Sequence, residues 1–206
     1  MHSIKNIIFD LGGVILNIDF KKTNDAFHLL GLENFSQHIN QFHITDLFLN
    51  YETGQIDDME FIDSVAKLSS KPMPEDKIVE AWNALLLDFP KERIDLLKKI
   101  KSQYRTFLLS NTNSIHLKEF QERLHNEQGV YLEDLFERAY YSHVVKLRKP
   151  NADIFELVLK ENNLEPSETL FIDDTQPNID AAKKAGLHAA LVSPQKDLVT
   201  VLVELL

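Results

Sequence analysis

The chain has 206 residues, of which 44% are hydrophobic and 26% charged, the balance of an ordinary soluble globular protein. At roughly 150 residues per domain, that length points to one domain carrying a sizeable insertion, large enough to bury its core without disulfide or metal staples. Cysteine is absent, which excludes a disulfide framework, a thiolate nucleophile and Cys-ligated zinc or iron–sulfur sites, and is compatible with the reducing cytoplasm where the protein is expected. The net charge of −10 leaves no basic footprint for nucleic acid, and no apolar run is long enough to span a membrane.

In chain order, β-rich runs fall at Ile4–Leu11, Thr106–Ser110, Ala139–Val145, Thr169–Ile172 and Ala189–Val192. Helical apolar periodicity lies between them, for example Ile94, Leu97 and Ile100, and Ile154, Leu157 and Val158. Strands alternating with helices predict an α/β fold with a parallel sheet covered on both faces. The first two strands lie far apart in sequence. Between them the pattern predicts helices over Lys21–Leu30, Ile44–Tyr51, Asp58–Leu68, Glu75–Leu87 and Glu92–Tyr104, and no strand. One helix suffices for the crossover, so residues 17–85 read as a helical insert, and residues 1–16 and 86–206 as the α/β core.

Four polar clusters sit at the carboxyl ends of predicted strands, where open α/β sheets bind ligands. They are Asp10-Leu11-Gly12-Gly13, Ser110-Asn111-Thr112-Asn113, Lys149-Pro150 and Asp173-Asp174. Singly, each has a plainer reading: Asp10, Ser110 and Asn111 as caps, Lys149 as a solvated side chain. Together they form a phosphoryl-transfer set. Asp10 is a nucleophile if a cation screens it, and the hard oxygens of Asp10, Asp173 and Asp174 suit Mg²⁺. Ser110 and backbone N–H groups at the following helix start offer an anion cradle, and Lys149 a second cation, with Pro150 suited to the first helical position.

Phe9-Asp10-Leu11-Gly12-Gly13-Val14, Leu109-Ser110-Asn111-Thr112, Arg148-Lys149-Pro150 and Phe171-Ile172-Asp173-Asp174 with Asn178 resemble the four motifs of the haloacid-dehalogenase-like hydrolase superfamily. The resemblance covers essentially the whole core, and the insert is similar to the family's small helical cap. It is nearest to bacterial sugar-phosphate phosphatases, including those acting on glucose 1-phosphate. It implies a Rossmann-like sheet of order 3-2-1-4-5 with the cap inserted after strand 1. It further implies that Asp10 forms an aspartyl phosphate and that Mg²⁺ is held by Asp10, the Gly12 carbonyl and Asp174 with help from Asp173. Ser110, Asn111 and Lys149 are then the phosphate-binding residues. The implied partner is a small phosphorylated metabolite, and the chain a monomer or homodimer.

One position departs from the family pattern. Most family phosphatases carry an acid–base Asp two residues after the nucleophile, where this chain has Gly12. Such a group is worth roughly 10²–10⁴-fold, so its absence favours easily departing leaving groups unless water or an insert residue substitutes. Asn17 and Asp19 are candidates by proximity, though Asp19 also reads as a helix cap. The alternatives to a phosphatase are a phosphotransferase or sugar phosphomutase, and a binding module that keeps the fold. The insert's aromatics (Phe20, Phe27, Phe35, Phe42, Phe48, Tyr51, Phe61, Trp82) read as its own core, and Glu52-Thr53-Gly54-Gln55 as a helix stop near the pocket. His28, His38, His43 and His116 read as surface or supporting groups, and the apolar tail Leu198–Leu206 as docked on the core or as a dimer contact.

Overall fold

The computed structural model describes residues 4–205 except 34, 38, 41 and 42, and only the backbone of 36, 39, 40, 43 and 44. In chain order the elements are β1 (Asn6–Phe9), α1 (Phe20–Leu29), β2 (Ile39–Asn40), β3 (His43–Ile44), α2 (Asp46–Glu52), α3 (Asp58–Ala66), α4 (Glu75–Asn83) and α5 (Lys91–Lys101). They continue with β4 (Arg105–Ser110), α6 (Ser114–Gln128), β5 (Arg138–Tyr141), α7 (Ser142–Val145), α8 (Ala152–Asn162), β6 (Thr169–Asp173), α9 (Gln176–Lys184), β7 (His188–Leu191) and α10 (Leu198–Leu205).

The main sheet runs β5-β4-β1-β6-β7, all parallel, which in core-strand numbering is the expected order 3-2-1-4-5. Period-two alternation splits the central strands between two cores. Ile7 and Phe9 of β1, Leu108 of β4 and Ile172 of β6 face α5, α6 and α10. Ile8, Phe107, Leu109 and Phe171 face α8 and α9. A third core fills the insert, where Phe27, Phe35, Phe48, Tyr51, Phe61 and Trp82 interlock; Phe27 stacks on Phe35 at 4.1 Å and Tyr51 on Phe61 at 4.0 Å. These aromatics are packing, as the periodicity predicts. Phe42 and His38 lie outside the described residues.

Several elements differ from expectation. The run Ala139–Val145 is a strand only to Tyr141. The Ser142 hydroxyl there donates to the Thr112 carbonyl and accepts from the Thr112 N–H, both at 2.9 Å, bending the chain into a turn of helix. Ile4–Leu11 is a strand only over Asn6–Phe9, since the Leu11 carbonyl accepts from the N–H groups of Val14, Ile15 and Leu16 and curls the chain. The helix from Glu75 ends at Asn83, because the following residues pair with the outgoing connection: Asp19 N–H donates to Leu85 O, Leu87 N–H to Asn17 O and Asn17 N–H to Asp88 O. A two-residue antiparallel pairing, β2 with β3, lies in the insert where no strand was expected. Pro150 is not at the first helical position, since α8 begins at Ala152 after the N-cap Asn151. The tail packs Leu198, Val201 and Leu202 into the core and leaves Val203 exposed. Among the described residues no helix is long and apolar enough to cross a membrane.

The insert is joined to the core by more than its two connections. Trp82 of α4 stacks on His116 of α6 at 4.5 Å, so His116 is buried rather than at the surface. Its Nε2 lies 3.0 Å from the Trp82 carbonyl and its Nδ1 3.1 Å from Asn113 Nδ2, a pairing that a neutral ring with Nε2–H satisfies. Burial pushes His116 down to about 4. The unfolded chain therefore takes up this proton near pH 6.5 while the fold resists until about 4, and stability drains away as pH falls through that window. Unfolding free energies at pH 7 and 4.5 should show the wild type losing about 2 kcal/mol more than His116→Gln on acidification; equal losses would show that the ring protonates without cost.

Candidate active site

The site grows from the carboxyl ends of β1, β4 and β6. Asp10 follows β1, and its N–H donates to the Ile172 carbonyl at 2.9 Å, fixing it beside the end of β6. The chain then turns through Gly13, whose φ is +75°; a Cβ there would lie 2.2 Å from Asp174 Oδ2. Glycine is required twice over, for the left-handed backbone and so that Asp174 can lie against the turn.

Asp173 is fully buried and closely held. Its Oδ1 accepts from the Thr175 N–H at 2.8 Å and from Asn178 Nδ2 at 3.0 Å. Its Oδ2 meets Lys149 Nζ at 2.7 Å, and the same ammonium lies 2.7 Å from Asp10 Oδ1. Lys149 is 1% exposed and so not the solvated side chain of the plainer reading. Its position is set from both ends. Asn111 Nδ2 donates to the Lys149 carbonyl at 2.9 Å, and the Lys149 N–H donates to Asn111 Oδ1 at 3.0 Å. The ammonium rests 5.5 Å from the Phe171 ring centroid, and the Lys149–Pro150 peptide is cis.

Ligand oxygens of Asp10, Asp173 and Asp174 lie within 4.8 Å of one another, a group able to hold a metal ion. Burial, reinforced by Asp173 and Asp174 and opposed by Lys149, pushes Asp10 up to about 7. Burial and the Asp173 charge likewise raise Asp174. Burial alone would lower Lys149, but attraction to Asp10 and Asp173 prevails and raises it. When all are ionised, three carboxylates against one ammonium leave two negative charges, which a divalent cation balances.

The structure thus brings Asp10, Asn111, Lys149, Asp173 and Asp174 together. Ser110 is buried at the end of β4 and, with Gly12 and Asn111, lines a cavity between the sheet edge and the insert. Three of the backbone donors around the start of α6 are already taken. The Ile115 N–H donates to Tyr51 Oη at 3.3 Å, the His116 N–H to Asn113 Oδ1 at 3.0 Å and the Thr112 N–H to Ser142, so these donors serve the protein rather than a ligand. Asn17 and Asp19 are engaged with groups outside the carboxylate cluster. Asn17 is tied to Asp88 and Arg93, and Asp19 caps α1 through the Lys21 N–H. In the sequence Glu52-Thr53-Gly54-Gln55 reads as a helix stop near the pocket, which gives Glu52 no role. This carboxylate lines the same cavity, with Arg148 Nη2 3.1 Å away.

A parallel α/β sheet with a helical insert after its first strand and a carboxylate cluster at its carboxyl edge defines a class of hydrolase fold. Residues 4–186 match the family model of haloacid dehalogenase-like hydrolases, and the chain belongs to that family. It is 32% identical to the D-ribitol-5-phosphate phosphatase of Bacteroides thetaiotaomicron over 90% of each chain. It is 25% identical to a phosphorylated carbohydrates phosphatase of Thermotoga maritima, over 88% of this chain and 82% of the other. The crystal structure of a family enzyme from Bacteroides thetaiotaomicron, complexed with magnesium and inorganic phosphate, superposes with a TM-score of 0.89 at 34% identity, covering 97% of this chain and 99% of that one.

A buried carboxyl raised to about 7 holds a proton that the unfolded chain has already released above its ordinary 3.8. Its contribution to stability is present at low pH and is lost as pH rises through about 7. In EDTA, Asp10→Asn should be roughly 2–4 kcal/mol more stable than wild type at pH 8 and lose that advantage near pH 4, measured by urea unfolding. A variant no more stable than wild type at pH 8 would mean that Lys149 fully compensates the buried charge.

Proposed function

We propose that this protein is a Mg²⁺-dependent phosphatase of a small phosphorylated metabolite of the sugar-phosphate class, working through an aspartyl phosphate. The observation that carries the reading is the single Lys149 ammonium placed 2.7 Å from both Asp10 and Asp173 in a buried carboxylate group. The residues fit the metal: hard oxygen donors, close together, with excess negative charge. Asp10, the Gly12 carbonyl and Asp174 would hold it. Asp173, committed to Lys149, Asn178 and Thr175, contributes mainly by placing its neighbours. When bound, Mg²⁺ supplies positive charge that keeps Asp10 ionised and offsets the repulsion between carboxylate and phosphate.

Asp10 then attacks phosphorus in line, and water hydrolyses the aspartyl phosphate. Lys149 neutralises charge on the transferring phosphoryl oxygens, and the Ser110 hydroxyl and Asn111 complete their surroundings, the electrostatic work on which such transfers depend. The insert, residues 17–85, acts as a cap that excludes water above the sheet edge. The sugar-phosphate class is supported by the relatives from Bacteroides thetaiotaomicron and Thermotoga maritima, whose names carry ribitol 5-phosphate and phosphorylated carbohydrates.

Release of inorganic phosphate from a panel of sugar and polyol phosphates, with Mg²⁺ and with EDTA, tests the reading. The expected outcome is metal-dependent release that falls at least about 10³-fold in Asp10→Asn. Release that survives in EDTA or in Asp10→Asn would contradict it, and isomerised sugar phosphate without free phosphate would identify a mutase instead.

A further inference from the structure

Because position 12 is glycine, the turn after Asp10 offers no proton to the alcohol that leaves phosphorus. The cavity shared by Gly12, Ser110 and Asn111 has two lining residues that ionise between acid and neutral pH, His116 and Glu52. His116 is excluded: both ring nitrogens are paired with protein groups. Glu52 is not so committed. Its Oε2 lies 3.1 Å from Arg148 Nη2 but is not aligned as a hydrogen bond, and Glu52 Oε2 and Arg148 Nε have no hydrogen-bond partner among the described residues.

Glu52 is also held in place. On one side Tyr51 Oη donates to Asp58 Oδ1 at 2.8 Å and accepts from the Ile115 N–H of the core helix α6. On the other, Gly54 has φ +62° and lies so close to the core that a Cβ would come 2.1 Å from the His143 carbonyl. The segment around Glu52 is therefore pressed onto the core from both ends. Arg148, its ionic neighbour, directly precedes Lys149 in the chain, which ties Glu52 to the loop that carries the clamp.

We propose that Glu52 is the proton-transfer group of the reaction, supplied by the insert in place of the acid that Gly12 lacks. This rests on the phosphatase reading. In the first half, Asp10 bonds to phosphorus as the ester P–O bond breaks, and the Glu52 carboxyl passes its proton to the departing oxygen. The products are the free alcohol, the aspartyl phosphate and a Glu52 carboxylate. In the second, water bonds to phosphorus as the Asp10–phosphorus bond breaks, and a water proton returns to Glu52. Burial raises the Glu52 carboxyl above the ordinary carboxylate range and Arg148 draws it back only in part, which favours the protonated form that the first half needs.

The test is a leaving-group series. Substituted phenyl phosphates running from nitrophenyl through phenyl to methoxyphenyl carry no sugar hydroxyls, so a loss cannot come from a missing hydroxyl contact. In the wild type, kcat/KM should vary little along the series. In Glu52→Gln, which keeps the side chain's shape, it should fall steeply as the phenol becomes less acidic, losing less than about threefold on nitrophenyl phosphate and roughly 10²–10⁴-fold on the poorest leaving groups. The same fractional loss on every substrate would assign Glu52 a positioning role through Arg148 and overturn the proposal, as would no loss at all. Nitrophenyl turnover by Glu52→Gln reports that the variant is folded, and a thermal midpoint near the wild type's does so independently. Wild-type turnover that Asp10→Asn abolishes establishes the phosphatase reading separately; a wild type that releases phosphate neither from this series nor from sugar and polyol phosphates overturns that reading and this proposal with it.

Discussion

One ammonium shared by two buried carboxylates organises this molecule's reactive edge. Burying Lys149 costs free energy that its partners must offset, and the structure provides them at both ends of the residue. Its backbone is held by the Asn111 side chain, and its Nζ lies 2.7 Å from Asp10 and from Asp173. Asp173 is in turn fixed by Asn178 and Thr175, and the turn at Gly13 brings Asp174 alongside. Because one cation serves three carboxylates, the arrangement is balanced only with a further double positive charge. Burial, reinforced by Asp173 and Asp174 against the pull of Lys149, raises Asp10 to about 7.

The helical insert stands above this edge as a packed body with its own aromatic core, yet it is fastened to α6. Trp82 stacks on His116, Tyr51 reaches Asp58 and the Ile115 N–H, and the Gly54 backbone presses on His143. One of these contacts takes up the Ile115 N–H near the start of α6, and Glu52, next to Tyr51, lines the cavity. Insert and core thus meet at one cavity, lined from the core by Gly12, Ser110 and Asn111 and from the insert by Glu52 and Trp82.

Much of this was legible before the fold was seen. Alternating Ile7, Ile8 and Phe9, and the apolar runs of β4 and β6, mark strands buried on both faces, and the polar residues that follow them mark a ligand edge. Asp10 and Asp173 converge because β1 neighbours β6, a consequence of strand order rather than of spacing, and Asn111 after β4 holds the backbone of Lys149 beside them. What stayed hidden depends on contacts between distant segments. The Ser142 bond to Thr112 ends β5 early, although the residues beyond it favour a strand. The burial of His116 depends on Trp82, and the placement of Glu52 on Arg148 and on the fit of Gly54 against a carbonyl. No local pattern encodes these pairings. Nor could the sequence separate Asp19 as a helix cap from Asp19 as a reactive group, because capping and catalysis favour the same residue.

The central claim is that the Lys149-centred cluster carries a charge deficit that one divalent cation fills. Calorimetric titration of Mg²⁺ into metal-free protein at pH 6.5, repeated in buffers of different ionisation enthalpy, tests this most directly. The account predicts one ion per chain, with most of a proton released as Asp10 ionises. Absence of binding, or binding that releases no proton, would contradict it.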